Sequence, residues 1–311
     1  MLKQNKEVDL LIIGGGPAGL TAAIYAVRGN LEVVLLESEV VGGQVASSYT
    51  IENYPGFIKI TGKDLSEKML EQAMVWGAVI EQFDSILSIK LKERCKIIET
   101  ERYTYICKAI IIATGAKPKK LPIPSESKYQ AKGVHYCGIC DGAMYKDKDI
   151  AVVGGGNSAL QQAIYLTNYA SKVYIIRRHD YFNGEKHLIK EVENNSKIHI
   201  LYNTDLIDVF GDDFVEGVRL RDLNLNKEYE LKLNAVFGFI QTEPQTELFK
   251  ENIKLDDKGY IITDENMQTN IEGVYAVGDV RQKKYRQITT AVSDGTIAGL
   301  ECLKYINKVG E

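Results

Sequence analysis

Two cysteines three positions apart, Cys137 and Cys140, lie in the run Cys137-Gly138-Ile139-Cys140-Asp141. That spacing can close a small disulfide and reopen it as a dithiol. A helix beginning at or near the second cysteine would lower a thiol pKa. The run is flanked by two glycine-rich turns, Gly14-Gly15-Gly16-Pro17-Ala18-Gly19 and Gly154-Gly155-Gly156-Asn157-Ser158-Ala159. A dithiol between two dinucleotide turns implies one use: an electron pair enters at a nucleotide, passes a flavin and leaves through a disulfide. The other reading of Cys-x-x-Cys is half of a zinc site, which needs two further ligands. Cys95, Cys107 and Cys302 are scattered singly, so no metal is expected. Cys107 and Cys302 read as small buried hydrophobes.

The elements that would position these turns are legible. Val8-Asp9-Leu10-Leu11-Ile12-Ile13 is expected to be a buried parallel strand, Leu20 to Val27 a helix, and Leu31 to Leu36 the next strand, ending at Glu37. Gly14 then makes the turn, Gly16 admits a pyrophosphate, and Gly19 lets helix and strand pack closely. The free N–H groups of the helix would hold the phosphates. The plan repeats with Ile150 to Val153, Ser158 to Leu166, and Val173 to Ile176 before Arg177-Arg178, with Gly154, Gly156 and Ala159 in the fingerprint. Glu37 follows Gly14 by 37 − 14 = 23 residues, and Arg177 follows Gly154 by 177 − 154 = 23. An acid there suits free ribose hydroxyls and a guanidinium suits a 2′-phosphate. The first site therefore reads as FAD and the second as NADP(H), the alternative being plain turns and solvated arginines.

The 311 residues suit two domains, with 45% hydrophobic residues, 26% charged residues and a net charge of −4. No broad basic run suggests nucleic acid, and no apolar segment approaches the ~20 residues of a membrane helix. Met1-Leu2-Lys3-Gln4-Asn5-Lys6 carries no signal-peptide cleavage pattern. With five cysteines, an odd number, a reducing cytoplasm is expected. The turns are offset by 154 − 14 = 140 residues. Ala116-Lys117-Pro118-Lys119-Lys120-Leu121-Pro122-Ile123-Pro124, after the apolar run Ala109 to Ile112, suits an interdomain crossing, and Gln241 to Thr246 suits the return. The fold class expected is α/β, two doubly wound Rossmann-like domains with the second inserted into the first. The FAD domain would span 1–116 and 246–311, and the NAD(P)H domain 117–245 with the Cys-x-x-Cys.

With these motifs in view, the chain resembles the low-molecular-weight thioredoxin reductases, of the pyridine nucleotide-disulfide oxidoreductase class. The likeness extends through Gly42-Gly43-Gln44, Glu52-Asn53-Tyr54-Pro55-Gly56, Ala113-Thr114-Gly115, Gly278-Asp279-Val280 and Arg286-Gln287. It implies a homodimer with FAD, passing electrons from NADPH to thioredoxin. It also implies that Cys140 faces the flavin, Cys137 attacks the partner disulfide, and Asp141 exchanges the proton. Carried over, Gly14, Gly16, Pro17, Ala18, Gly19, Glu37, Gly43, Gln44, Asn53, Thr114, Gly115, Gly278, Asp279, Arg286, Gln287 and Ile288 would hold the flavin nucleotide. Gly154, Gly156, Asn157, Ser158, Ala159, Arg177 and Arg178 would hold NADPH.

Several positions depart from the family. Its basic run is His-Arg-Arg with a further arginine, where this chain has Arg177-Arg178-His179 and Asn183; only Arg178 keeps its place. Gln161-Gln162 replace a usual pair of glutamates, and Gln241 a glycine. NADH, or a donor such as reduced ferredoxin, is the alternative for the second site, and a flavin-dependent dithiol oxidase the alternative for the reaction. His135 replaces a small residue. It would assist proton transfer, or lie on the surface or against the turn. His179 and His187 have no ligand spacing, and His199, in a strand-like run, is expected to be structural.

Overall fold

The computed structural model describes residues 4–48, 50–91 and 94–310. The chain divides into two compact units, Met1–Lys117 with Glu243–Glu311, and Pro118–Thr242. The first unit opens with β1 (Gln4–Ile13), α1 (Pro17–Arg28), β2 (Val33–Glu37), the single turn α2 (Gly43–Ala46), α3 (Gly62–Val75), β3 (Val79–Gln82), β4 (Ile86–Lys90), β5 (Lys96–Thr100) and β6 (Tyr103–Ile112). β3, β2, β1 and β6 are parallel, and β5 and β4 extend the sheet antiparallel. Leu10 to Ile13 are buried without alternation, as a parallel strand covered on both faces requires. Each fully buried Leu or Ile contributes about 1.5–3 kcal/mol.

The chain leaves through β7 (Ala116–Pro118), and its second unit runs α4 (Glu126–Tyr129), β8 (Val134–His135), α5 (Gly138–Asp141) and a 3-10 turn at Gly142–Tyr145. β9 (Asp149–Gly154), α6 (Asn157–Leu166), β10 (Lys172–Ile176), α7 (Lys186–Asn194) and β11 (Ile198–Leu201) follow. β12 (Thr204–Phe210), β13 (Gly217–Asp222), β14 (Lys227–Lys232) and β15 (Ala235–Phe239) complete it. The main sheet is parallel in the order β11-β10-β9-β15-β8, and β12, β13 and β14 form a separate antiparallel sheet. The return strand β16 (Thr242–Pro244) pairs with β7. β17 (Val274–Ala276) then joins β6, a 3-10 turn covers Gly278–Val280, and α8 (Ile288–Gly310) ends the chain.

Most expected elements stand in place, with three differences. The apolar run at Ala109 to Ile112 is the end of the ten-residue β6. The apolar run from Gly273 to Asp279, whose composition reads as a buried strand ending in Gly-Asp, forms only a three-residue strand, because Gly278–Val280 is a 3-10 turn. The β12–β14 sheet carries little sequence signal, since almost all of β14 is exposed.

Candidate active site

Gly14 turns the chain after β1 at φ +112°, where a Cβ would strike the Ala113 carbonyl. An L side chain adopts that backbone only with strain. A Cβ on Gly19 would strike the Gly14 carbonyl, so α1 lies directly on the turn. Gly16 is the N-cap of α1, no side chain caps it, and nothing lies within 4 Å of where its Cβ would be. The N-terminus of α1 thus has open space beside Gly16 and no side-chain cap, while Pro17 and Ala18 behind it are buried. Glu37, at the end of β2, accepts the Gly15 N–H at 2.8 Å and the Glu39 N–H at 2.9 Å.

Of the other first-unit candidates, Gly43, Gly278 and Thr114 lie beside this turn. Gly43, at φ +56°, lies over Gly16, and Gly278 lies against Ala18. Thr114 follows the carbonyl that Gly14 abuts, and its hydroxyl donates to the Gln245 carbonyl at 2.7 Å. The Gly115 carbonyl accepts the Gln245 N–H at 3.0 Å. Asn53 Nδ2 donates to Gln287 Oε1 at 3.3 Å, across 234 residues of sequence. Gln287 precedes α8, which Ile288 opens, and Gln44 is exposed in α2.

Asp279 Oδ1 and Arg286 Nε are buried without a hydrogen-bond partner. Burial pushes the Asp279 carboxyl up from its ordinary pKa, against Lys283 and Arg286. Unpaired buried polar atoms of this kind are costly unless a ligand completes them. Together with the open space at Gly16 they fit a polyhydroxy dinucleotide.

The second turn repeats the geometry. Gly154, at φ +150°, abuts the Phe239 carbonyl, Ala159 packs against Gly154, and Gly156 is an uncapped N-cap with open space beside it. Asn157 Nδ2 donates to Glu185 Oε1 and its Oδ1 accepts the Glu185 N–H, each at 2.7 Å, while Ser158 is exposed. Arg177 lies across Gly155 as Glu37 lies beside Gly15. Its Nε donates to the Tyr181 carbonyl at 2.9 Å and its Nη2 to Asn183 Oδ1 at 3.4 Å. Arg178 points elsewhere and pairs with Asp205 at 3.3 Å.

Cys137 and Cys140 form a disulfide with Cα atoms 5.3 Å apart. The helix α5 starts at Gly138, near the second cysteine as expected, and Cys137 Sγ is its N-cap, accepting the Cys140 N–H at 3.2 Å. This turn rests on α6: Gly138 meets Gln162 and Gly142 meets Leu166. The disulfide therefore sits on the helix that opens at the second glycine turn. His135 is not on the surface. It is buried in β8, with Nδ1 3.0 Å from Asp141 Oδ2.

The family model described as pyridine nucleotide-disulphide oxidoreductase matches residues 8–295. The chain belongs to this family. A 34.2 kDa protein in the rubredoxin operon of Clostridium pasteurianum is 50% identical over 305 residues, covering 98% of this chain and 99% of that protein. The thioredoxin reductase of Peptoclostridium acidaminophilum is 40% identical over 305 residues, 96% of each chain. The crystal structure of Lactococcus lactis thioredoxin reductase in its FR conformation superposes with a TM-score of 0.94 at 39% identity, covering 97% of this chain and 99% of that one.

Membership in the pyridine nucleotide-disulphide oxidoreductases implies a flavin and a nicotinamide cofactor. Outside the dithiol, Cys95 is exposed, and burial pushes the Cys107 thiol up to about 12 and Cys302 well above its ordinary value. Both buried thiols stay protonated. Among the described residues no group of three or more His, Cys, Asp or Glu could hold a metal, and no helix is long and apolar enough to cross a membrane.

Sequence reasoning missed Asp294. It is 6% exposed on α8, accepts the Gly278 N–H at 3.0 Å, and pairs with Arg281 at 3.1 Å and Lys283 at 2.8 Å. It thereby fixes the turn that carries Asp279. The available signal was an acid on the buried stripe of Ala291, Ala298 and Cys302.

Proposed function

We propose that the protein is a thioredoxin-disulfide reductase that passes electrons from NADPH through FAD and the Cys137–Cys140 disulfide to thioredoxin. The observation that carries this reading is the disulfide seated on α6, the helix that opens at the second dinucleotide turn. FAD would lie at the first turn, with Glu37 toward the ribose, Asp279 and Arg286 completing their unpaired atoms on the flavin nucleotide, and Gln287 at the flavin edge. NADPH would lie at the second, with Gly156 to Ala159 at the phosphates and Arg177 toward the 2′-phosphate. The flavin, when bound, supplies a carrier for an electron pair between nicotinamide and disulfide.

In the reduced protein the Cys137 thiolate attacks one sulfur of the thioredoxin disulfide. That forms a mixed disulfide and releases the other sulfur, which takes a proton. The Cys140 thiolate then attacks Cys137 Sγ, restores the Cys137–Cys140 disulfide and expels the second thioredoxin thiolate, which Asp141 protonates. Two electrons and two protons leave with the thioredoxin dithiol. The active form is a cytoplasmic homodimer in this reading.

The test is Cys137→Ser. Thioredoxin turnover is expected to vanish while flavin absorbance stays; retained turnover would refute the assignment. A second donor reading, NADH, has one observation in its favour, the pairing of Arg178 with Asp205. Anaerobic flavin bleaching with NADPH, NADH and reduced ferredoxin in parallel separates the donors. Bleaching by ferredoxin alone would sink the nicotinamide assignment.

A further inference from the structure

His135 occupies the two-residue strand β8, in parallel register with Phe237 of β15. Its side chain is 3% exposed and its ring stacks on Phe237, with centroids 5.2 Å apart and planes at 26°. Both ring nitrogens are engaged. Nδ1 is 3.0 Å from Asp141 Oδ2, and Nε2 is 2.7 Å from the Tyr145 hydroxyl. These are the titratable groups that face it, Asp141 from α5 and Tyr145 from the adjoining 3-10 turn. The sheet side presents Phe237.

The proton positions follow from the chemistry of the three groups. Burial, and then the Asp141 charge, push the Tyr145 phenol up to about 12, so it keeps its hydrogen and donates to Nε2. The imidazole proton then sits on Nδ1 and is donated to the Asp141 carboxylate. Burial lowers the His135 pKa against the pull of Asp141, which leaves a neutral ring at pH 7. Asp141 itself lies at the end of a one-turn helix. Among the described residues no other side chain bonds its carboxylate.

We propose that His135 is a positioning residue for Asp141: the Tyr145–His135 pair, anchored on the β8–β15 sheet, holds the carboxyl group in the dithiol turn for proton exchange with the cysteine sulfurs. This rests on the dithiol reading above. A ring that merely fills space would need its stacking on Phe237 but not its hydrogen bonds. The hydrogen bonds are therefore what the experiment varies.

The experiment compares the flavin-loaded wild type with His135→Phe, His135→Asn and Tyr145→Phe. His135→Phe keeps an aromatic ring but no donor. His135→Asn keeps an N–H close to the place of Nδ1. Tyr145→Phe keeps the histidine and frees its tautomer. Each protein is reduced, and the pH dependence of its alkylation by iodoacetamide is followed, independently of thioredoxin. Thioredoxin turnover is measured alongside, with flavin content and anaerobic bleaching as controls of folding.

For His135→Phe the midpoint of the alkylation profile is expected to move by about half a pH unit or more. Its kcat for thioredoxin is expected to fall about tenfold with KM unchanged. His135→Asn should return both near the wild type, and Tyr145→Phe should shift the profile in the same direction by less. Coincidence of the Phe and wild-type profiles overturns the proposal. So does an Asn variant as deficient as Phe, which would make the ring and not its donor the essential feature. Should His135→Phe fail to fold, a Tyr145→Phe profile identical to the wild type overturns it. A wild type that bleaches normally but never reduces thioredoxin refutes the functional reading, and the alkylation comparison still decides the role of His135.

Discussion

The guanidinium of Arg177 lies across Gly155, so that any side chain at Gly155 would meet it. Glu37 stands in the equivalent place beside Gly15, where its carboxylate accepts the backbone N–H. One geometry thus carries opposite charges at the two turns. An acid at that point repels a 2′-phosphate, whereas a guanidinium beside an uncapped helix N-terminus attracts one.

Arg177→Ala is therefore expected to lower kcat/KM for NADPH by tenfold or more, the equivalent of losing a charge-assisted hydrogen bond of about 1.5–3 kcal/mol. The value for NADH should stay nearly unchanged. Arg178→Ala should cost less, because Arg178 is exposed and engaged with Asp205. Steady-state kinetics with both nucleotides check the order. Equal losses for NADPH and NADH in Arg177→Ala would remove the phosphate assignment.

Sequence reasoning reached what depends on local chain geometry. The glycine turns and their 23-residue register needed only the rule that a strand, a tight turn and a helix must share one backbone path. Long-range pairing was beyond it. His135 is buried because β8 joins β15 about a hundred residues later, and two residues carry no strand periodicity. That Cys137 itself caps α5 is a role the spacing alone does not reveal. Asp294 was passed over because its partners, Arg281 and Lys283, lie outside α8 and reach it only through the fold.

Gly14 and Gly16, two residues apart, should respond oppositely to alanine. At Gly14 the φ of +112° and the Ala113 carbonyl leave no room, so Gly14→Ala should yield unstable or insoluble protein. At Gly16 the backbone is extended and the added methyl meets nothing. Gly16→Ala should therefore leave the thermal midpoint of flavin-free protein unchanged but weaken FAD binding about tenfold or more, by filling the space a pyrophosphate needs. Calorimetry of the apoprotein and flavin titration distinguish the two. A Gly16→Ala protein that binds FAD like the wild type would move the nucleotide away from this turn.

Asp294→Asn keeps the shape of the side chain and an acceptor for the Gly278 N–H, but removes the charge between Arg281 and Lys283. Both cations would stay largely buried, with side chains 14% and 8% exposed. Stranding buried charge by deleting one partner costs about 3–5 kcal/mol. The variant should lose that much in urea unfolding, and it should retain less FAD after dialysis because the Gly278–Val280 turn loosens. A loss below about 1 kcal/mol would show that the triad is solvated in solution.

The buried His135 also makes a prediction about acid stability. Burial lowers its folded-state pKa below the ordinary 6.5, so between those two values the unfolded chain binds a proton that the folded chain refuses. Stability then rises with pH through that window. Above pH 6.5 both states are neutral and His135 contributes no pH dependence; as the pH falls from 6.5 towards the lower folded value, the folded state progressively loses ground. His135→Phe removes this titration. The difference in unfolding free energy between variant and wild type should be constant above pH 7 and shift in favour of the variant as the pH is lowered towards 5. Urea melts at pH 7.5, 6.5, 6.0 and 5.0 give that difference directly. A difference independent of pH would mean that His135 titrates as it does in the unfolded chain. A shift of opposite sign would mean that Asp141 holds the imidazolium in place, with the ring charged in the folded protein.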